Sequence, residues 1–373
     1  AYTYFKNLGF EVEVIYWDLF QEEKIAAIVQ DLINHRPDIF IPNYFPFAFY
    51  AGRWAKKAGI PTVMILHNDD EFHHALVDAY ADEKDPFAVD AIVGVSKLIT
   101  DMIVASAPHH PLVQCIPYGA PLPNTAATLA AGDVLKLVYA GRIVEPQKRI
   151  SEVARAFCRV AKEIPGTQCT IYGSGRAEPA LKEILRTEGA GLAVSFGGKL
   201  ESTTVQAHLL QQHIFVLLSD YEGIPISLME AMGCGLVPVC SNIRSGMTEL
   251  IEHGETGFLV NDRGDDFVAT IRTLKNNPAL WTNLSQAARH KIEAQYSESV
   301  CNQQWLQLLQ QLKASAGKQT ALTVPSLEAC KAFILRPEFK EYYNPRPAAY
   351  KVPFYRLRVW LGRKKRELFN QHY

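Results

Sequence analysis

The most constraining feature of this sequence is a repeating alternation of short β-rich runs with segments of helical spacing. Candidate strands are Val12–Trp17, Asp38–Pro42, Pro61–His67, Ala91–Val95, Leu135–Ala140, Gln168–Tyr172, Ala193–Phe196, Ile214–Leu218, Val237–Cys240 and Gly257–Val260. Runs that are apolar on both faces, such as Phe215–Leu218, suit parallel strands covered by helices on both sides. The order therefore predicts a doubly wound α/β architecture.

The alternation breaks once, at Tyr118–Asp133, where Pro, Gly and small residues replace any periodicity. With 373 residues to distribute, this break divides the chain into two α/β domains, residues 1–122 and 134–296. Residues 297–315 read as a Gln- and Leu-rich helix that crosses back to brace the first domain. Residues 316–373 form a Pro-punctuated, basic-aromatic tail.

Bulk properties exclude several classes. The formal net charge is −1, so nothing global argues for a nucleic-acid partner. The basic surplus is confined to the tail, where ten Lys or Arg stand against three acidic residues from Arg336 onward. No run of 18 apolar residues suggests a membrane span. Seven cysteines at irregular spacings, without a Cys-x-x-Cys pair, argue for reduced thiols and a cytoplasmic chain.

The chemistry concentrates in Ser219–Gly235, SDYEGIPISLMEAMGCG. A buried strand ends in a loop holding Glu222 and Gly223, Pro225 suits the first helical turn, and Gly233 and Gly235 end the helix. Glu230 follows Glu222 by eight residues, about 12 Å along a helix. That span matches the distance from sugar ring to ribose in an extended nucleotide sugar. The free N–H groups of the helix start, around Gly223, Ile224, Ile226 and Ser227, offer a seat for the diphosphate between them. The plain alternative is a capping Glu222 and a solvated Glu230.

Arg142 and Lys148 tip that balance. They lie in AGRIVEPQKRI directly after a strand, at the carboxyl edge of the sheet, where such folds bind ligands. Two fixed cations can stabilise the charge that builds on a departing diphosphate. Gly173 and Gly175, after the strand ending at Tyr172, would let a nucleotide approach the backbone, although a tight turn explains them equally. Lys199 and Leu200, in GGKL, sit where backbone groups would read a base edge, and again a simple turn competes.

Taken in order, GR-x5-K, IYGSG, FGGKL, EGIPISLMEAMGCGLVPV and HGETGFLV closely resemble retaining glycosyltransferase family 4, of the group 1, glycogen synthase-like type. The resemblance covers about Leu8 to Leu312 and is strongest over residues 135–260. It implies a GT-B fold, two Rossmann-like domains facing across a cleft. It also implies hexosyl transfer from a UDP- or GDP-sugar to a glycan or lipid-linked acceptor, with no metal and no further cofactor. By the same resemblance Glu222 faces the donor sugar, Glu230 binds the ribose, Arg142 and Lys148 hold the diphosphate, and His67 lies near the sugar's hydroxymethyl group. The uses made of this family point to polysaccharide or lipopolysaccharide assembly.

Three features stand beside that pattern. His67 opens a dense cluster, HNDDEFHH, for which a solvated loop or a divalent-metal site are the competing readings. The family's first strand and glycine-rich loop are expected before Ala1, so the acceptor side reads as lacking them. The tail mixes cations with aromatics in KVPFYRLRVWLGRKKRELF, a composition suited to an anionic membrane surface on the cytoplasmic side. Two other functions remain open on the same scaffold: nucleotide-sugar epimerisation, and a degenerate protein that binds nucleotide sugar without turnover.

Overall fold

The computed structural model describes residues 2–16, 19–82, 84–331 and 339. Its first unit contains α1 (Tyr2–Asn7), α2 (Gln21–His35), α3 (Pro46–Lys57), β1 (Val63–Leu66), α4 (Glu71–Tyr80), β2 (Ala91–Gly94), α5 (Lys97–Ser106) and β3 (Val113–Cys115). The three strands form a parallel sheet in the order β1-β2-β3, and a single parallel bridge joins Phe40 to Thr62 at its β1 edge. Local sequence starts the helices here. Asp70 accepts from the His73 N–H at the head of α4, and Ser96 from the Ile99 N–H at the head of α5, satisfying donors that a helix start leaves open.

The second unit runs β4 (Leu135–Ala140), α6 (Ile150–Glu163), β5 (Thr167–Tyr172), α7 (Glu178–Thr187), β6 (Val194–Gly198), α8 (Val205–Leu209), β7 (Ile214–Leu217), α9 (Ile226–Gly233), β8 (Val237–Ser241), α10 (Met247–Leu250), β9 (Phe258–Val260), α11 (Asp265–Asn276) and α12 (Pro278–Lys291). All six strands are parallel, in the order β6-β5-β4-β7-β8-β9. The centre is fully apolar: Leu137, Val138, Phe215, Val216, Val237 and Val239 have no exposed surface. Helices cover both faces, as the two-sided apolar runs require. A π-helical turn, Ile292–Tyr296, then leads into α13 (Glu298–Ser315) and, after an irregular stretch, α14 (Leu327–Lys331).

The chain crosses between the units twice, and the crossings touch. Ala120 and Ser297 form a parallel bridge, with Ala120 N–H donating to Tyr296 O and Glu298 N–H to Ala120 O. Gly119 must be small there, since a Cβ would lie 2.6 Å from the Cα of Glu298. The connecting segment after Tyr118 is held rather than loose. Arg289 donates to the carbonyls of Pro123, Thr125 and Gly233, and Ala127 N–H donates to Cys234 O. Beyond the crossing, Leu308 and Leu312 of α13 pack with Val63, Ala91, Val93 and Ile116 under the first sheet.

Two strand expectations differ from the structure. Residues 11–16 pair with no ladder among the described residues, so the alternation seen at Val12–Trp17 builds no strand there, and Trp17 lies outside the described residues. Asp38–Pro42 shrinks to the one bridge at Phe40. Conversely β3 has only three residues, none of them buried, and its pattern was too short to register. Apart from Phe339, whose ring meets Phe72, residues 332–373 lie outside the described residues, and the basic-aromatic tail from 336 with them.

Candidate functional site

The strand order makes a crevice. From the central pair β4 and β7 the chain winds outward in opposite directions, so the loops leaving their carboxyl ends diverge. The loop after β4 carries Gly141, Arg142, Gln147 and Lys148, and the loop after β7 carries Tyr221, Glu222 and Gly223. Across from them stand His67 to Asp70 at the end of β1, together with Leu98 and Tyr118. These residues, with Ile224 to Ser227 and Arg244, enclose a cavity of about 780 Å³ between the two units. A space of that size is ordinary for a cofactor or substrate cleft.

At its base lies an ion pair. Lys148 Nζ sits 2.5 Å from Glu222 Oε1, with the two side chains only 9% and 7% exposed. Gln147 bridges outward from it, donating to Tyr221 O at 3.0 Å and to Glu222 Oε2 at 3.4 Å, and accepting from Arg142 Nη2 at 2.5 Å. Arg142, Lys148 and Glu222 are thus brought into one hydrogen-bonded group. Behind the group, Arg149 stands in the left-handed region at φ 50° and pairs with Asp220 and Glu152. Arg263 pairs with the same two carboxylates and donates to Leu218 O. The loop after β7 is braced from below.

Helix α9 points its start at the same cavity. Pro225 occupies the position just before the helix rather than its first turn, and no side chain caps it. Ile226 and Ser227 line the cavity, so the start of a helix with its partial positive charge faces the space beside Lys148. Gly223 keeps this approach possible: a Cβ there would lie 2.6 Å from His67 O and 3.0 Å from Asn68 Oδ1. Gly235, at φ 82°, turns the chain after the helix.

His67 lines the cavity, yet both its ring nitrogens are engaged. Nε2 lies 2.8 Å from Asn43 Oδ1, and Nδ1 is hydrogen-bonded to the Tyr118 hydroxyl, whose ring stacks on it at 5.9 Å. Asn43 Oδ1 accepts only, so Nε2 carries the proton and Tyr118 donates to Nδ1. Burial, and secondarily the neighbouring His73, hold the imidazole neutral with its pKa lowered to about 4. Burial pushes the Tyr118 phenol up to about 12. Both groups stay neutral across the physiological range. A sugar hydroxyl reaches the imidazole edge only by replacing Asn43 or Tyr118.

The remaining candidates lie elsewhere. Gly173 and Gly175 do not line the cavity. Each has a positive φ, and a Cβ would meet the Gly141 or the Ile143 carbonyl, so they let the β5 turn pack under the Arg142 loop. Lys199 is exposed and pairs with Glu201, and Leu200 follows it outside the cavity. Glu230 sits on α9 beyond the cavity wall, half-buried, and burial raises its pKa. In the polar cluster after His67, Asp70 serves α4 and contacts His73, while Asp69 pairs with His74 and reaches Arg244 at 3.7 Å. Among the described residues no three metal-binding side chains converge. Sequence reasoning missed Gln147, Asn43, Tyr118 and Arg244. Only Gln147 carried a signal, lying inside the Arg142–Lys148 motif.

Comparison with known proteins finds relatives both in sequence and in fold. Residues 124–291 match the family model described as glycosyl transferases group 1. The amylovoran biosynthesis glycosyltransferase AmsK of Erwinia amylovora is 32% identical over 186 residues, which are 48% of this chain and 45% of the relative. A glycogen synthase of Mycobacterium tuberculosis is 30% identical over 162 residues, 43% of this chain and 39% of its own. The chain thus spans less than half the length of these relatives. Among solved structures, sucrose-phosphate synthase from Thermosynechococcus elongatus superposes with a TM-score of 0.66 at 18% identity, covering 79% of each chain. Anabaena HepE, in complex with UDP and glucose, gives 0.64 at 18% identity, covering 77% of this chain and 81% of that one. These likenesses establish the fold as GT-B. The match over residues 124–291 takes in Arg142, Lys148, Glu222 and α9, so this part of the chain is similar to the group 1 glycosyltransferases.

Proposed function

We propose that this protein transfers a hexosyl group from a nucleoside-diphosphate sugar to an acceptor hydroxyl, with retention of anomeric configuration. The observation that carries the reading is the convergence of Lys148, Glu222, Arg142 and the open start of α9 on one cleft at the sheet's switch point. As the bond between the anomeric carbon and the phosphate oxygen breaks, negative charge collects on the diphosphate. Lys148, Arg142 and the start of α9 at Ile226 and Ser227 line the cleft where it collects, so this chain's own cations do the work of charge stabilisation without a metal. Glu222, exchanging its contact with Lys148 for the sugar hydroxyls, orients the ring. Glu230, further along α9, takes the ribose.

The acceptor enters from the His67–Tyr118 wall, on the face the phosphate leaves. Its oxygen bonds to the anomeric carbon, and its proton passes to the departing phosphate oxygen. No side chain forms a covalent bond. UDP is the proposed nucleotide, because structurally similar proteins are described with it, among them the pneumococcal GtfA in complex with UDP and GlcNAc. The proposed acceptor is a glycan or lipid-linked molecule in polysaccharide assembly, a reading supported by a relative named for amylovoran biosynthesis. The proposal of contact with an anionic membrane rests on the tail sequence alone. No helix among the described residues is long and apolar enough to cross a membrane.

The test screens UDP-, GDP- and ADP-sugars by thermal shift, since a ligand that binds the folded state raises its melting temperature. Turnover with the stabilising donor is then followed for the wild type, Lys148→Ala and Glu222→Gln. We expect both variants to lose about 10²–10³-fold in kcat while retaining their circular dichroism. Donor binding without turnover in the wild type would favour the non-catalytic scaffold, and epimerised donor without acceptor would favour the epimerase.

A further inference from the structure

At the rim of the cleft, one contact joins the two units through a helix end. Helix α5 has ten residues, and its first four N–H groups need partners from beyond the helix. Ser96 supplies one: its side chain accepts from Ile99 N–H, while its carbonyl takes the first intrahelical bond, from Thr100 N–H. Two more are taken by a carboxylate from the opposite unit. Lys97 N–H donates to Glu249 Oε2 at 2.8 Å and Leu98 N–H to Glu249 Oε1 at 2.9 Å. One oxygen serves each donor, and the negative charge sits at the positive end of the helix dipole.

The same residue is tied to the active loop. Glu249 lies in α10, which starts just after Gly246. The Gly246 N–H donates to Gly223 O at 2.8 Å, and a Cβ on Gly246 would lie 2.5 Å from that oxygen. Gly223 adjoins Glu222 and presses on His67 O from across the cleft. A continuous path therefore runs from the α5 backbone through Glu249, Gly246 and Gly223 to Glu222. Glu249 itself does not line the cavity.

We propose that Glu249 is a positioning residue: its carboxylate clasps the start of α5 when the units close, and through Gly246 it sets the Gly223 loop against the His67 carbonyl. Without the clasp the two N–H groups exchange to water and the units part more readily, so Glu222 and Lys148 meet the acceptor wall less often. The kinetic consequence rests on the transferase reading; the conformational one does not.

Amide hydrogen exchange on the full chain, with and without UDP, separates this role from a local helix cap. We expect Glu249→Ala to raise exchange not only over residues 96–100 but also over 65–70 and 221–227, which it never touches. Glu249→Gln, keeping one acceptor oxygen, should fall between wild type and Ala. In turnover, kcat should drop by about ten- to a hundredfold with the donor KM within about threefold, because the donor's diphosphate rests on the second unit. Glu252→Gln, whose carboxylate pairs with Lys291 in α12, serves as the neighbouring control and should behave as wild type. A rise confined to residues 96–100 would overturn the proposal, as would unchanged kcat in both Glu249 variants. If the wild type shows no turnover with any donor, the exchange pattern still decides the clasp while the transferase reading fails separately. Should Glu249→Ala fail to fold, Glu249→Gln carries both measurements.

Discussion

Lys148 and Glu222 illustrate what a single pair contributes at the residue scale. With both side chains below one-tenth exposed, each charge has shed most of its water and relies on the other. Such a pair is weak evidence for stability, since an apolar pair would fold as well. His67 shows the opposite use of a titratable group, buried so that it stays neutral. Its folded pKa, about 4, lies below the ordinary 6.5, so the stability it carries is whole above pH 6.5. That stability is lost as pH falls from 6.5 toward 4, with a ceiling on the order of 3 kcal/mol that solvent at a half-buried ring reduces. We expect the wild-type unfolding free energy to fall more steeply than that of His67→Gln across this window, by about 1–3 kcal/mol. Parallel pH profiles would show that His67 is not the group responsible.

Among the elements, the loop between β7 and α9 decides the site, and its glycine decides the loop. Gly223 has no left-handed backbone, so alanine strains nothing locally; the obstacle is the His67 carbonyl 2.6 Å from its would-be Cβ. Two units that merely touch can separate by that difference, whereas a packed core cannot. Gly223→Ala should therefore melt within a few degrees of wild type, yet lose about 10²-fold in kcat. A variant with normal turnover would mean that the cleft need not close this far. The motif itself was legible as strand, loop and helix from Phe215 to Gly235, because a two-sided apolar run, a proline and two glycines each restrict local conformation. That Glu222 and Lys148 share one site was expected from their places at the sheet edge and from the family resemblance. That Gln147 joins them to Arg142, and that Arg263 braces them from below, depends on side-chain directions no periodicity carries.

For the whole molecule, stability and function share one element. Helix α13 leaves the second unit at the Ser297 crossing and places Leu308, with no exposed surface, beneath the first sheet. Among the described residues the first unit has three strands, and this borrowed face covers one side of them. We expect Leu308→Ala to cost about 2–4 kcal/mol, read as earlier urea unfolding of the β1–β3 region by exchange or limited proteolysis. Uniform destabilisation of both units would show instead that they unfold together.

By itself the sequence determined the layered α/β plan and the course of strand, loop and helix from Phe215 to Gly235, since short-range sterics and burial on both faces govern these. It did not determine what the histidine after β1 faces, why Gly173 and Gly175 are glycines, or how the two units clasp. Those depend on contacts between residues far apart in the chain, from His67 to Tyr118 and Gly141 to Gly173, and from Leu98 to Glu249. Nothing in the local pattern of either partner encodes such a contact, and only the packed tertiary structure brings the partners within reach.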